Sequence, residues 1–134
     1  MEASTKQFRK RNAILSCIKQ TNLHPSAEMV HEMLQEEHPD ISLATVYRNL
    51  SLFKNQGLIQ SLGTVNGTER FDGNTDPHVH FVCSNCSCVL DLTQMEIPQA
   101  LNTEAENCSG GKVNCCQLIF TGLCRDCLAK SETA

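Results

Sequence analysis

The stretch His78-Val-His-Phe-Val-Cys-Ser-Asn-Cys86 decides the fold of the second half of the chain, and Cys124-Arg-Asp-Cys127 completes it. Each contains a C-x-x-C pair, and 37 residues separate Cys86 from Cys124. A C-x-x-C turn lets both of its sulfur atoms face one ion, so two such turns close a tetrahedral shell of four thiolates. Zinc is the metal that this shell predicts. Because the shell leaves no position open for a substrate, we predict a structural site.

The nine cysteines of this 134-residue chain are predicted to be reduced. Met1–Arg11 is polar and basic and lacks the apolar segment of a secretion signal. No apolar run in the sequence approaches the length of a transmembrane helix. Cysteines without a secretion signal indicate metal binding rather than disulfides. We therefore expect a cytoplasmic protein that does not enter a membrane.

Positive charge is concentrated at the start of a chain that is acidic overall. Residues 1–70 hold eight Lys and Arg against seven Asp and Glu, a net charge of +1, whereas residues 71–134 hold three against eight, a net of −5. The basic residues among the first twenty are Lys6, Arg9, Lys10, Arg11 and Lys19. This distribution predicts an anion-binding face. An ordinary solvated helix face explains the same charges equally well.

Apolar spacing and capping residues predict three helices followed by a hairpin in the first half. Arg9–Gln20 has apolar residues at helical spacing, and Ser26 and Ser42 are suited to cap the second and third helices. An apolar run, an Asn66-Gly67 turn and a short strand follow, which predicts a two-stranded hairpin. This order is typical of a winged helix-turn-helix domain, which we predict over residues 1–73.

The second half predicts a small α/β domain over residues 74–134, after a turn-rich hinge at Asn74–Pro77. Its predicted elements are a strand at His78–Cys83, a continuation of that strand at Val89–Leu92, a weak helix at Gln94–Asn107 and a strong strand at Val113–Thr121. Together the two halves predict an α+β protein.

The third predicted helix carries a polar face with residues suited to reading DNA. In a winged helix this helix enters the major groove. Its outward residues would be Thr45, Tyr47, Arg48 and Asn49. Arg can bond guanine bidentately, Asn can read adenine, and Thr and Tyr can reach phosphates or a thymine methyl group. The alternative is a polar helix face that is simply solvated.

The whole pattern resembles the ferric uptake regulator family. Ile41-Ser-Leu-Ala-Thr-Val-Tyr-Arg-Asn-Leu50, followed by Gly57-Leu-Ile, is similar to the recognition-helix signature of that family. The H-x-H-x-x-C-x-x-C stretch and the later C-x-x-C resemble its second domain, so the resemblance covers residues 9–128 in collinear order. It implies a homodimeric, metal-responsive transcriptional repressor rather than an enzyme. Each subunit would have a winged-helix DNA-binding domain and an α/β dimerisation domain with a four-cysteine zinc site.

The resemblance also implies a second, regulatory metal site. The positions that match the ligands of the family are His24, Asp72, His78, His80 and Asp91. Three imidazoles and two carboxylates suit iron(II) or manganese(II), which accept mixed nitrogen and oxygen shells. Asp at both acidic positions is typical of the peroxide-responsive branch, whereas iron-sensing members more often carry Glu. Taken singly, each residue has an ordinary structural explanation, such as a cap, a strand end or a surface ion pair.

The resemblance to that branch implies a repressor of operator DNA that peroxide inactivates by metal-catalysed oxidation of a ligand histidine, His24 or His78. An iron-responsive repressor of iron uptake is the alternative within the family. Outside it, a metal hydrolase would need a general base, yet every candidate carboxylate is already assigned to the metal. A zinc-ribbon interaction module would leave His24 and Asp72 without a role.

Two features depart from the family pattern. The helix that usually precedes the first core helix is expected to be nearly absent, and the common Thr-Pro-Gln-Arg stretch reads Phe8-Arg-Lys-Arg11. Cys115 and Cys116 stand where many members carry a His, which argues against an additional His-based site. These two cysteines, with Cys88 and Cys108, are interpreted as spare thiols, and a redox or metal role for Cys115 and Cys116 is the alternative.

Overall fold

The computed structural model describes the backbone of residues 2–133 and the side chains of residues 5–131. It divides into two units, Met1–Thr75 and Asp76–Ala134. The first unit contains α1 (Glu2–Gln20), α2 (Ala27–Leu34), α3 (Leu43–Asn55), β1 (Gln60–Val65) and β2 (Thr68–Asp72). The second contains β3 (Val79–Cys83), β4 (Val89–Leu92), α4 (Gln99–Ser109), β5 (Ile119–Gly122) and α5 (Arg125–Thr133). Within residues 2–133, no helix has both the length and the apolar character that a membrane span requires.

The three helices of the first unit pack around one apolar core. Their fully buried side chains are Ile14 and Ile18 of α1, Val30 of α2, and Val46, Leu50 and Phe53 of α3. The predicted caps are confirmed: the Ser26 hydroxyl accepts the N–H of Met29 at 3.2 Å, and the Ser42 hydroxyl accepts the N–H of Thr45 at 3.1 Å. Each bond satisfies one of the backbone donors that the first turn of a helix leaves unpaired.

The prediction for the first helix is wrong at its start. The helix begins at Glu2 rather than Arg9, so the residues before Arg9 extend the first core helix and do not form a separate one. The stretch before Arg9 holds no Gly or Pro and is rich in residues with high helix propensity, so nothing in it stops the helix. The basic cluster therefore belongs to a single helix of 19 residues.

The hairpin after α3 is the predicted wing. β1 and β2 pair antiparallel, with Val65 opposite Thr68 at the turn. Asn66 and Gly67 have φ values of 50° and 83°, so both central residues occupy the left-handed region. This is the combination that a tight hairpin turn of the primed type requires and that Asn-Gly supplies. Three helices followed by a wing confirm the winged helix-turn-helix fold.

The second unit contains a three-stranded sheet in the order β4-β3-β5. The stretch Val89–Leu92 does not continue β3 as predicted but pairs antiparallel with it, because the chain reverses at a turn in which Ser87 has a φ of 69°. β5 pairs parallel with β3 and is shorter than the predicted strand, starting at Ile119. Val113 instead donates its backbone N–H to the Glu106 carboxylate at 2.9 Å. The sequence did not predict α5.

Apolar side chains on the second unit are left exposed. No residue of α4 is buried, and Ile119 and Phe120 of β5 keep 37% and 46% of their surface exposed. Leu101 of α4 is also exposed. A sheet and a helix of a folded domain usually bury such side chains, whereas here they form part of the exposed surface.

Candidate metal centres and nucleic-acid interface

The β3–β4 hairpin and the start of α5 bring cysteine thiols together in the second unit. Cys83 ends β3 and is buried, and its sulfur accepts the backbone N–H groups of Cys86 and Cys124, each at 3.4 Å. These two hydrogen bonds lower the pKa of the Cys83 thiol to about 6. Hydrogen bonds from N–H groups stabilise the thiolate, which is the form that binds metal.

Two further contacts complete the set of predicted zinc ligands. The sulfur atoms of Cys86 and Cys124 lie 3.8 Å apart. Cys127 is buried and accepts a hydrogen bond from the Asn85 amide at 3.3 Å. The Asn85 amide lowers the pKa of Cys127, but the thiols of Cys124, Cys83 and Cys86 together with burial outweigh it and raise that pKa to about 11. Cys127 thus interacts with the other three predicted ligands, but the group of sulfur atoms that lie closest together does not include it.

The donor set fits zinc. A tetrahedron with Zn–S bonds of about 2.3 Å places its sulfur atoms about 3.8 Å apart, which matches the separation of Cys86 and Cys124. Thiolates so close to one another repel, as the raised pKa of Cys127 reflects. A bound dication removes that repulsion. When bound, zinc would supply a covalent-like cross-link and no catalytic chemistry.

The structure adds a fifth thiol that the sequence analysis had treated as spare. The sulfur atoms of Cys83, Cys86, Cys88 and Cys124 all lie within 4.8 Å of one another. Cys88 arrives there because the hairpin register places it opposite Cys83, whose N–H donates to the Cys88 carbonyl at 3.0 Å. Cys88 is visible in the sequence as the third cysteine of C-x-x-C-x-C. It can be placed beside Cys83 only when the chain reversal at Ser87 is known.

The first unit contributes a histidine and a carboxylate that are both buried. His24 Nε2 lies 3.5 Å from a carboxylate oxygen of Asp72, which ends β2. His24 has a φ of 52°, a left-handed conformation that is uncommon for a residue with a side chain. The backbone here must therefore be held by its neighbours.

Arg70 of β2 holds the segment that carries His24, and the sequence analysis missed it. Its guanidinium donates to the carbonyl of Leu23 at 2.9 Å and to the carbonyl of His24. The Phe71 N–H donates to the Pro25 carbonyl at 2.9 Å. An arginine on a wing strand gives no signal in the sequence, and only the fold reveals that it fixes His24 beside Asp72.

Asp72 is held from the other side by α1. The next residue, Gly73, passes so close that an added Cβ would lie 2.6 Å from the backbone oxygen of Ile18. The Lys19 ammonium donates to the Gly73 carbonyl at 2.7 Å, and one Asp72 carboxylate oxygen accepts the Asn74 N–H at 2.9 Å. These contacts fix the direction in which the Asp72 carboxylate leaves the strand.

Replacing Gly73 by Ala is expected to lower the free energy of unfolding by about 1–3 kcal/mol, the usual range for forcing an atom into a packed region. The added methyl group would meet the Ile18 backbone, which cannot swing aside as a flexible side chain can. Urea denaturation measures the change. Gly111→Ala is the matched control, since its Cβ would meet only the Ser109 hydroxyl at 3.6 Å. Equal stability of the two variants would contradict the prediction.

Two histidines and one aspartate face each other across β3 and β4 in the second unit. His80 is directly opposite Asp91 in the strand register. One Asp91 carboxylate oxygen lies 3.0 Å from His78 Nε2 and 3.2 Å from His80 Nε2. His80 is fully buried, and the two imidazole rings are 4.2 Å apart between centroids.

The protonation of His78 shows that this group fits a cation. His78 Nδ1 lies 2.6 Å from the carbonyl oxygen of Asp76, which can only accept, so Nδ1 carries the proton. In the neutral ring, Nε2 then presents a lone pair to a carboxylate oxygen 3.0 Å away. Two facing lone pairs need a proton or a metal ion between them. A donated Nδ1–H is also the usual orientation of a metal-binding histidine.

The outward face of α3 and the basic part of α1 border one open cavity of about 900 Å³ in the first unit. Its lining includes Lys10, Arg11, Thr45, Arg48 and Asn49. The Asn49 amide donates to the Thr45 carbonyl at 2.9 Å within its own helix, and Arg48 donates to the Thr45 hydroxyl at 3.3 Å. The cavity thus combines polar side chains with positive charge.

Tyr47 of α3 does not line this cavity but extends toward α2. Its ring is half-exposed, and its hydroxyl donates to the carboxylate of Glu28. That hydrogen bond is the main cause of a lowered pKa for Glu28. Glu28, which no sequence signal pointed to, holds the Tyr47 hydroxyl in one place.

Comparison with known proteins gives one consistent result. The model of the ferric uptake regulator family matches residues 2–121. The peroxide operon regulator of Bacillus subtilis is 32% identical over 123 residues, covering 92% of this chain and 84% of that protein. The peroxide-responsive repressor PerR of Staphylococcus aureus is also 32% identical, over 90% and 81%. The peroxide stress regulator of Campylobacter jejuni superposes with a TM-score of 0.80 at 27% identity, covering 94% of both chains.

Proposed function

Since this chain belongs to the ferric uptake regulator family, we propose that it is a metal-dependent repressor that binds operator DNA as a homodimer and is inactivated by peroxide. The family and its relatives make it a transcription regulator rather than an enzyme. The finer proposal depends on one observation above all. Imidazoles and a carboxylate of the second unit converge around Asp91, at 3.0 and 3.2 Å, in an arrangement that calls for a cation.

We assign DNA recognition to Thr45, Tyr47, Arg48 and Asn49 of α3. The positive charge of Lys10 and Arg11 on α1, beside the same cavity, supports phosphate contacts next to the recognition helix. One N–H of the Asn49 amide already donates to its own helix, which leaves the second N–H and the amide oxygen to bond a base. Arg48 is exposed and is the candidate for bidentate recognition of guanine.

Replacing Arg48 by Ala is expected to weaken binding to a specific site by about 1–3 kcal/mol, the range of a lost base contact. The probe is an inverted-repeat DNA selected from a random pool by the manganese-loaded protein, and fluorescence anisotropy gives the affinity. Binding to random DNA should change much less, because phosphate contacts remain. Equal losses on both DNAs would assign Arg48 to the phosphate backbone instead.

The homodimer is supported by the exposed apolar surface of the second unit. Leu101 of α4 and Ile119 and Phe120 of β5 are exposed side chains that a second copy of the chain would bury. A two-fold interface uses the same patch on both subunits, and two recognition helices would then meet the half-sites of an inverted repeat.

The proposed regulatory metal ligands are His24, Asp72, His78, His80 and Asp91. The set combines three nitrogens and two carboxylate oxygens, which suits iron(II) or manganese(II). In each unit the imidazoles already lie beside their carboxylate. Arg70 orients the segment of His24, and the Asp76 carbonyl orients the ring of His78. The proposed ligands of each unit are therefore already arranged before the metal binds.

The proposed response to peroxide follows from those ligands. Bound iron(II) would give an electron to peroxide and recover one from the oxidised ring, an exchange in which manganese(II) does not readily take part. The ring of His24 or His78 takes up one oxygen atom from peroxide, and the other leaves as water. The oxidised ring no longer donates a suitable lone pair to the metal. The metal then no longer stabilises the DNA-binding conformation over the other conformation, and DNA is released.

Operator binding before and after peroxide tests this proposal. The selected inverted repeat should bind only when iron or manganese is present, and a chelator should release it. An iron-responsive repressor, the alternative within the family, would bind with iron and keep binding after peroxide. DNA binding that is independent of any divalent metal would refute both versions.

A further inference from the structure

The thiol cluster of the second unit holds one more ligand than zinc needs. A structural zinc ion takes four ligands, and five cysteines occupy this place. Four have sulfur atoms within 4.8 Å of one another, and this group includes Cys88. The fifth, Cys127, interacts with the thiols of the same group and is held by the Asn85 amide.

We propose that Cys88 and Cys127 are interchangeable fourth ligands of one zinc ion whose other ligands are Cys83, Cys86 and Cys124. The inference rests on the proposed zinc site and deepens it. It changes the site from a fixed shell of four cysteines into a shell with three constant ligands and one position for which two thiols compete.

The register of the hairpin makes Cys88 as well placed as any predicted ligand. Val82 is opposite Val89 in the β3–β4 ladder, so the next pair outward is Cys83 and Cys88. The Cys83 N–H donates to the Cys88 carbonyl at 3.0 Å, which shows that the pairing extends to this position. Directly opposed residues project their side chains from the same face of a sheet, so both thiols point to the same side.

The turn between them brings Cys86 to that side as well. The Ser87 N–H donates to the Cys83 carbonyl at 3.0 Å, and Ser87 itself adopts a φ of 69°. The chain therefore returns at once after Cys86, and three thiols come from one hairpin of six residues, 83–88. Only Cys124 must be supplied by a distant segment to complete a shell of four.

Cys127, which lies in α5 and not in the hairpin, competes with Cys88 for the fourth position on zinc. It lies in the first turn of α5, where the Leu128 N–H donates to the Cys124 carbonyl at 2.8 Å. Replacement of one thiol by the other needs no change in the three constant ligands. The entering thiol loses its proton as it binds zinc, and the leaving thiolate takes up a proton, so the charge of the shell is unchanged.

The variants that test this replace the two competing thiols singly and together. Cys88→Ser and Cys127→Ser should each retain one zinc per subunit and, after cobalt substitution, the thiolate-to-cobalt absorption of four sulfurs. Cys88→Ser/Cys127→Ser should lose roughly a quarter of that absorption and give up its metal to a chelator at least tenfold faster. Cys108→Ser, on the exposed end of α4, is the matched control for loss of one thiol.

The unaltered protein provides a second measurement that does not depend on the folding of any variant. Zinc-loaded protein is treated with iodoacetamide, and modified peptides are counted per molecule. Cys88 and Cys127 should react as alternatives, one per molecule, while Cys83, Cys86 and Cys124 stay protected. Reaction of the same one of these two cysteines in every molecule would overturn the inference and leave a fixed four-cysteine site. A wild-type protein that binds no zinc would instead refute the zinc site itself.

Discussion

Hydrogen peroxide is expected to weaken operator binding by the iron(II) form of the protein strongly and to spare the manganese(II) form. Both metals suit a shell of three imidazoles and two carboxylates, so both should support binding before treatment. Only iron(II) readily gives an electron to peroxide. We expect the affinity of the treated iron form to fall by roughly 5- to 150-fold, the range of typical allosteric couplings.

Mass spectrometry identifies the cause of that loss. One added oxygen atom should appear on the peptide that holds His24 or His78, with iron and not with manganese. His78 presents Nε2 toward Asp91 because its Nδ1–H is donated to the Asp76 carbonyl, which places its ring among the groups nearest the proposed metal. The rival cause is thiol oxidation, to which nine cysteines are available. Loss of binding that tracks cysteine oxidation, is independent of the metal, and is reversed by a thiol reductant would refute oxidation of histidine.

Replacing Cys83 and Cys124 together by Ser is expected to remove zinc and unfold the second unit. Only three of the five clustered thiols would remain, fewer than a structural site needs. Zinc binding to small structural sites is worth about 10–16 kcal/mol, as much as the entire stability of many domains. Zinc content by atomic absorption, circular dichroism and the size of the particle in solution report the loss.

A second double variant separates metal loss from the general effect of removing two thiols. Cys108 and Cys116 lie outside the group of sulfur atoms that cluster within 4.8 Å. Cys108→Ser/Cys116→Ser should therefore keep one zinc per subunit and the native size. A folded, zinc-free dimer of the Cys83 and Cys124 variant would show that the metal does not hold this unit together.

The features that sequence predicted well are those whose cause is local. Ser26 and Ser42 cap helices because a short hydroxyl side chain reaches the N–H three residues ahead, and this needs no information from the rest of the fold. Asn66-Gly67 forms its turn for a similarly local reason. The extension of α1 to Glu2 was missed because the prediction relied on the spacing of apolar residues, which starts near Arg9. The residues before Arg9 favour a helix through their intrinsic helix propensity instead.

Features that depend on distant partners were predicted poorly. Among residues 2–133, β5 pairs only with β3, a strand of five residues, so most of the predicted strand Val113–Thr121 has no partner strand there. The reversal before β4 was hidden because Ser87 adopts a left-handed conformation that usually signals itself by Gly. The support that Arg70 gives to the His24 segment exists only after folding.

The ligands of the candidate sites could be predicted from the spacing of residues along the sequence, whereas the contacts between distant residues could not. The C-x-x-C pairs and the H-x-H pair fix which side chains share a turn or a strand face, and these positions remain the proposed ligands. Cys88 needed the hairpin register before it could be interpreted. Glu28 needed the packing of α2 beside α3 before its bond to Tyr47 was visible.

The parallel pairing of β3 with β5 sets the order in which a newly made chain matures. Every strand and helix of the first unit has its partners once Thr75 has left the ribosome, so that unit can form early. In the second unit, His80 pairs beside Ile119, and its thiol cluster lacks Cys124 until the following residues emerge. Cys83, Cys86 and Cys88 remain an incomplete group of thiols for much of that time. A shell of four thiols can therefore be completed only late in biosynthesis.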